Sequence, residues 1–172
     1  MLLLLAGCGG AGPYGHAVDY VATSDERSAT EGATEYDPVM AQREPEQWRK
    51  KRIKLFGVVT ARSSGDEGMA QLTLSVRRLE TRNLCKLRTD EDTCRVTVSD
   101  KDFGVIHALV KLGADDDIGA QAVAVGSLVR VVGTLLQQID PNDGAPFVRA
   151  TFYRHWPRFQ YATRAAASVM RQ

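Results

Sequence analysis

Short stretches in which apolar and polar residues alternate recur from residue 54 to residue 153, and they restrict this chain to β architectures. A period of two puts successive side chains on opposite faces, which a helix cannot do. The run 54–61 is rich in β-branched residues and ends at the turn-forming Ser63-Ser64-Gly65-Asp66. In 71–77, Leu72, Leu74 and Val76 share one face, in a run that can extend to Leu84. Residues 95–99 alternate as well. Residues 104–112 read as a strand with Ile106, Ala108 and Val110 on one side, the alternative being a helix capped by Asp102. Residues 127–135 form the strongest strand and 147–153 the last, with Asp140-Pro141-Asn142-Asp143-Gly144 as a turn between them. Short strands at this spacing predict a small all-β barrel of five to six strands, or a sandwich.

Charge divides the chain. Residues 1–47 hold eight acids against Arg27 and Arg43, a sum of −6, whereas residues 48–172 sum to +7, which together give the net +1. Between Gly9 and Gln47 there is no Leu, Ile, Phe or Trp. Such a stretch buries too little surface to offset its ordering entropy. It is therefore expected to be a disordered, acidic linker over 8–47, followed by the folded domain at 48–158 and a tail at 159–172. The 172 residues do not suffice for two domains of ordinary size, and no apolar run approaches the ~18 residues of a membrane-spanning helix.

The chain opens with four leucines and Ala6-Gly7-Cys8. Leu5-Ala6-Gly7-Cys8 resembles the lipobox of bacterial lipoproteins, although a basic segment before the leucines is absent and the apolar run is short. The resemblance implies that 1–7 are the remnant of a signal peptide and that Cys8 becomes the lipidated N-terminus, carrying diacylglycerol and palmitate. It also implies the outer membrane, facing the periplasm, because Gly9 stands where an Asp would retain the protein at the inner membrane. The other reading is a buried apolar stretch followed by a free thiol.

Cys85 and Cys94 flank a polar stretch that reads as a hairpin tip. In an oxidising compartment they are expected to form a disulfide contributing about 3 kcal/mol by chain entropy. Two reduced thiols or a redox pair are the alternatives, and a Cα separation below about 7 Å is the geometric test.

Residues 125–134, with Gly126 before the strand and Gly133 near its end, resemble the fourth strand of OB-fold domains. Glycine there allows close backbone approach and sharp bending where a barrel closes. The resemblance covers about residues 53–156, the rival being another small β-barrel or an incomplete sandwich. It implies a ligand face on the second and third barrel strands and their loops. Arg77, Arg78 and Arg82, with Lys86 and Arg88 beyond, lie there as candidate binding residues, or as charges that keep strand edges apart. Arg149, Tyr153 and His155 are a second candidate set, expected to share a strand face with Thr151. The basic run 49–54 and the aromatic run 152–159 are read as a charged entry to the first strand and as closure of the barrel.

His16, His107 and His155 are scattered, and no spacing assembles a catalytic set, a metal centre or a cofactor loop. Asp115-Asp116-Asp117 reads as a solvated turn. The expectation is a non-enzymatic envelope lipoprotein, without metal or cofactor, whose OB-like module binds a protein, glycan or anionic lipid. The alternative is a nucleic-acid-binding OB module that uses the basic 49–54 and 77–88 surface, a partner that a periplasmic domain rarely meets.

Overall fold

The computed structural model describes residues 15–65, 69–85 and 94–165. Its strands are β1 (Thr34–Glu35), β2 (Arg52–Ser64), β3 (Ala70–Arg77), β4 (Val96–Val98), β5 (Val105–Val110), β6 (Leu128–Ile139), β7 (Pro146–Trp156) and β8 (Tyr161–Thr163). The helices are α1 (Ser24–Thr30), α2 (Pro38–Arg43), α3 (Pro45–Arg49) and α4 (Ala114–Asp117). Five strands follow the order β2-β3-β5-β7-β6, and β6 returns to β2 to close an OB-like barrel. All contacts around it are antiparallel except β5 with β7. The alternating segments lie on barrel strands except 95–99, which forms β4 outside the barrel; β3 ends at Arg77 without running on to Leu84, and 105–110 is a strand rather than a helix. β8 pairs with β4 in a separate two-stranded sheet.

Alternation places Ile53, Leu55, Leu72, Leu74, Val76, Ile106, Ala108, Val110, Val129 and Val131 inside the barrel, all buried. Each fully buried Val, Leu or Ile contributes roughly 1.5–3 kcal/mol. A second core lies on the outer face of β2, β6 and β7, where Phe56, Leu128 and Trp156 meet Val96 and Val98. This explains why 128–133 is a continuous apolar run interrupted only by Arg130: β6 is covered on both faces.

The expected linker is corrected from residue 15 onward. Thr23 caps α1, and Asp37 Oδ1 accepts from the Val39 and Met40 N–H groups at 3.0 Å to cap α2, with Pro38 at its first position. Large aromatics anchor the segment. Tyr36 and Trp48 are buried in the main core with ring centroids 5.9 Å apart, and Tyr20 packs on Phe56 and Trp156. Segment-averaged composition hides such anchors, because a few rings carry the burial. The domain therefore starts well before Trp48. It also extends past 158, since Ala162 of β8 is buried. Cys8 and the rest of the lipobox-like run, Lys86, Arg88 and most of the final alanine-rich stretch lie outside the described residues.

Cys85 and Cys94 form a disulfide with Cα atoms 4.1 Å apart. Next to it, Leu84 and Arg95 exchange both backbone hydrogen bonds, so the crosslink closes a short antiparallel pairing.

Candidate binding surface

β3 ends where residues 99–104 fold back beside it. Val76 N–H donates to Gly104 O at 2.8 Å, and Phe103 N–H donates to Val76 O at 3.0 Å. Asp102 stiffens the bend, taking the Ser75 hydroxyl on Oδ2 and the Gly104 N–H on Oδ1. The half-buried Phe103 ring is thereby held at the barrel's end. The Arg78 guanidinium lies 4.3 Å from its centroid and Lys101 Nζ 5.4 Å. Each cation–π contact is worth about 0.5–1 kcal/mol at an exposed site. Arg77, in contrast, donates to the Ser99 and Asp100 carbonyl oxygens and so ties the fold-back down. Arg82 is exposed, and its backbone bridges Asp19. Of the first candidate set, Arg78 and Arg82 are exposed, whereas Arg77 is taken up within the fold.

The basic run 49–54 turns largely toward the N-terminal segment. Arg49 pairs with Glu46, Arg52 donates to Ala29 O at 2.6 Å, and Lys51 Nζ sits 4.5 Å from the Trp48 ring.

The second candidate set is split, which corrects the expected shared face. A bulge at Thr151 leaves Ala150 opposite Gly133 and Phe152 opposite Val132. One extra residue reverses the alternation. Arg149 points outward, whereas Tyr153 and His155 stand on the side of Val131 and Val129. There they fasten the connector 113–127. Tyr153 O–H donates to Asp116 Oδ2 and its oxygen accepts from Gly113 N–H, both at 2.7 Å. His155 Nδ1 lies 3.0 Å from Asp116 Oδ1, and Nε2 lies 3.2 Å from Ser127 Oγ. This is the order of a nucleophile, a base and an orienting acid. Ser127 is 1% exposed, however, and its Oγ also accepts the Ala124 N–H, so the three side chains clasp the connector to β7, with Asp116 at the surface. The aromatic run divides similarly: Trp156 is wholly buried, closing the outer core, while Phe159 is 73% exposed.

Burial pushes the Tyr153 hydroxyl up to about 12. It pulls His155 below its ordinary 6.5, against the opposing pull of Asp116. A depressed histidine pKa means that the native state binds fewer protons than the unfolded chain. The stabilising contribution is complete above pH 6.5 and is lost as pH falls through the native pKa. Urea midpoints are therefore expected to drop between pH 7 and 5 with a steeper slope for the native sequence than for His155→Gln. Equal slopes would contradict this origin.

A third constellation was not legible from spacing. The parallel pairing of β5 and β7 sets His107 opposite Phe147, with the rings stacked at 4.9 Å. The turn after β6 then brings Asp143 and Asp140 to His107 Nε2, at 3.0 Å and 3.7 Å. The Ala145 N–H, and His107 after it, hold the Asp143 carboxyl below the usual carboxylate range. Only the carboxylate-rich composition of 140–144 signalled anything in the sequence. Two clefts lie on the described surface. One, of about 510 Å³, runs between α2 and the β6–β7 turn past Val39, Phe103, Leu135 and Ile139. The other, of about 630 Å³, lies by Arg62, Met69 and Val125.

No family model matches this chain, and no curated protein sequence matches it. Among solved structures it is similar to the small single-stranded DNA-binding protein from Streptomyces coelicolor, at 18% identity over 61% of this chain and 91% of that chain, with a TM-score of 0.34. A likeness this slight bears on neither ligand nor activity.

Proposed function

We propose that this protein is a non-catalytic binding module of the bacterial envelope, tethered to a membrane through lipidated Cys8 and offering an anionic protein, glycan or lipid the basic rim around Arg78. The Cys85–Cys94 crosslink carries this reading, because structural disulfides persist in oxidising compartments and are rare in the cytosol. An anchor with several acyl chains, at ~0.8 kcal/mol per buried methylene, holds a domain of this size firmly.

A second reading, a module for single-stranded nucleic acid, is favoured by the exposed Arg78 guanidinium layered over Phe103 with Lys101 beside it, a cationic plane suited to base stacking and phosphate contact. One set of proteins tests both. The native chain is expected in the membrane fraction with its final thiols oxidised, and Cys8→Ser in the soluble fraction. A native chain found soluble, with its initiator methionine and reduced Cys85 and Cys94, would overturn the envelope reading. Binding to a fluorescent oligonucleotide that weakens steeply with salt, and whose salt slope falls by ~1.4 in Arg78→Ala/Lys101→Ala, would instead establish the second reading.

A further inference from the structure

We propose that His107, Asp140 and Asp143 form a binding site for a divalent transition-metal ion of the zinc type. Two carboxylates converge on a single ring nitrogen: Asp143 Oδ2 lies 3.0 Å and Asp140 Oδ2 3.7 Å from His107 Nε2. A single Nε2–H is taken up by Asp143, whose Oδ1 and Oδ2 lie 3.2 Å and 3.0 Å away, and does not reach Asp140 Oδ2, whereas a cation at the centre contacts all three groups. The separations suit such an ion. Bonds of 2.0–2.2 Å in a tetrahedron put neighbouring ligand atoms about 3.3–3.6 Å apart, between the 3.0 Å and 3.7 Å observed.

The surroundings orient each ligand. Asp140 Oδ1 accepts from the Asn142 backbone N–H at 2.8 Å and from its side-chain amide at 3.0 Å, which leaves Oδ2 to face the histidine. Asp143 Oδ1 accepts from the Ala145 N–H at 2.8 Å and lies 3.2 Å from Nε2, so Oδ2 is the oxygen nearer the ring nitrogen. His107 is held by the Phe147 stack and by Thr73 Oγ1, 3.2 Å from Nδ1. With a metal on the Nε2 lone pair, Nδ1–H donates to that hydroxyl, the arrangement by which metal-bound histidines are commonly fixed. His107 is 4% exposed, while the Asp143 side chain is 41% exposed, so the site has a buried floor and an open mouth for the ion and a fourth, water ligand. An imidazole among the ligands selects a transition ion over Ca²⁺ or Mg²⁺. Binding would pin the β6–β7 turn to β5.

The test is titration of the full chain, stripped with EDTA, by Zn²⁺ in a calorimeter, with Co²⁺ absorption reporting the ligand set. One equivalent is expected to bind, with Kd raised at least tenfold by His107→Ala and by Asp143→Asn, about 10–100-fold by Thr73→Val, and unchanged by His155→Ala. Asp143→Asn keeps an acceptor for Ala145 on an exposed turn, so it reports even where His107→Ala fails to fold. Absence of stoichiometric Zn²⁺ uptake, native affinity in Asp143→Asn, or preference for Ca²⁺ would overturn the site.

Discussion

Glu26→Gln is expected to lower the unfolding free energy by about 3–5 kcal/mol, the usual consequence of removing one partner from a buried charge group. Glu26 is 0% exposed, and its oxygens meet Arg130 at 2.8 Å and Arg154 at 2.7 Å while accepting the Tyr20 hydroxyl. The two guanidiniums are largely buried, their side chains only 10% and 9% exposed. Arg130 lies 4.6 Å from the Phe56 ring and Arg154 4.5 Å from the Trp156 ring, beneath α1. Arg130 Nε has no hydrogen-bond partner among the described residues, so this side chain depends on Glu26. An amide has nearly the same shape and no charge, so two buried cations would stand side by side. Urea unfolding at constant m reads the effect as a lower midpoint. The triple change Glu26→Met, Arg130→Met and Arg154→Leu is expected to recover most of the loss, because well-packed apolar groups replace such clusters at little cost. A loss below 1 kcal/mol in Glu26→Gln would show that the carboxylate does not hold α1 on the barrel.

The same cluster shows what could be read from the residues alone. The opposite charges of 1–47 and 48–172 are plain in the sequence, and the structure uses part of that difference internally. Glu26 enters the barrel's outer face, and the Asp19 backbone bridges Arg82. Composition averaged over 8–47 suggested disorder, whereas Tyr20 and Tyr36 within it supply burial at single points, Tyr36 against Trp48. The barrel strands were legible because alternation is local. The faces of β7 were not, because one bulged residue at Thr151 reverses them without any mark in composition. The His107 constellation joins groups more than thirty residues apart through a parallel register, and no spacing rule reports that. The disulfide lay between, legible as a cysteine pair once a compartment was assumed.

Gly133 is a position where local reading and structure coincide, and its replacement carries the opposite sign from strand propensity. Valine suits strands better than glycine by about 1 kcal/mol, so Gly133→Val at an ordinary strand site would stabilise. Here β6 and β7 approach at the bulge with Gly133 opposite Ala150. A Cβ at 133 would overlap the Arg149 carbonyl oxygen and stand 2.8 Å from its carbon and 3.0 Å from Ala150 Cα. The obstacle is main chain, which cannot rotate aside as a side-chain end does. Overpacking a core usually costs 1–3 kcal/mol, so a clash with backbone at the barrel seam is expected to cost about 4 kcal/mol. The β2–β6 pairing sets Ile53 beside Gly133, so a forced shift in β6 also disturbs that closure. Thermal melting of Gly133→Ala and Gly133→Val reads this directly, with both falling well below the native Tm and valine lower than alanine. A valine variant as stable as the native protein would mean that β6 and β7 stand further apart at this point, with no bulge at Thr151 to bring them together.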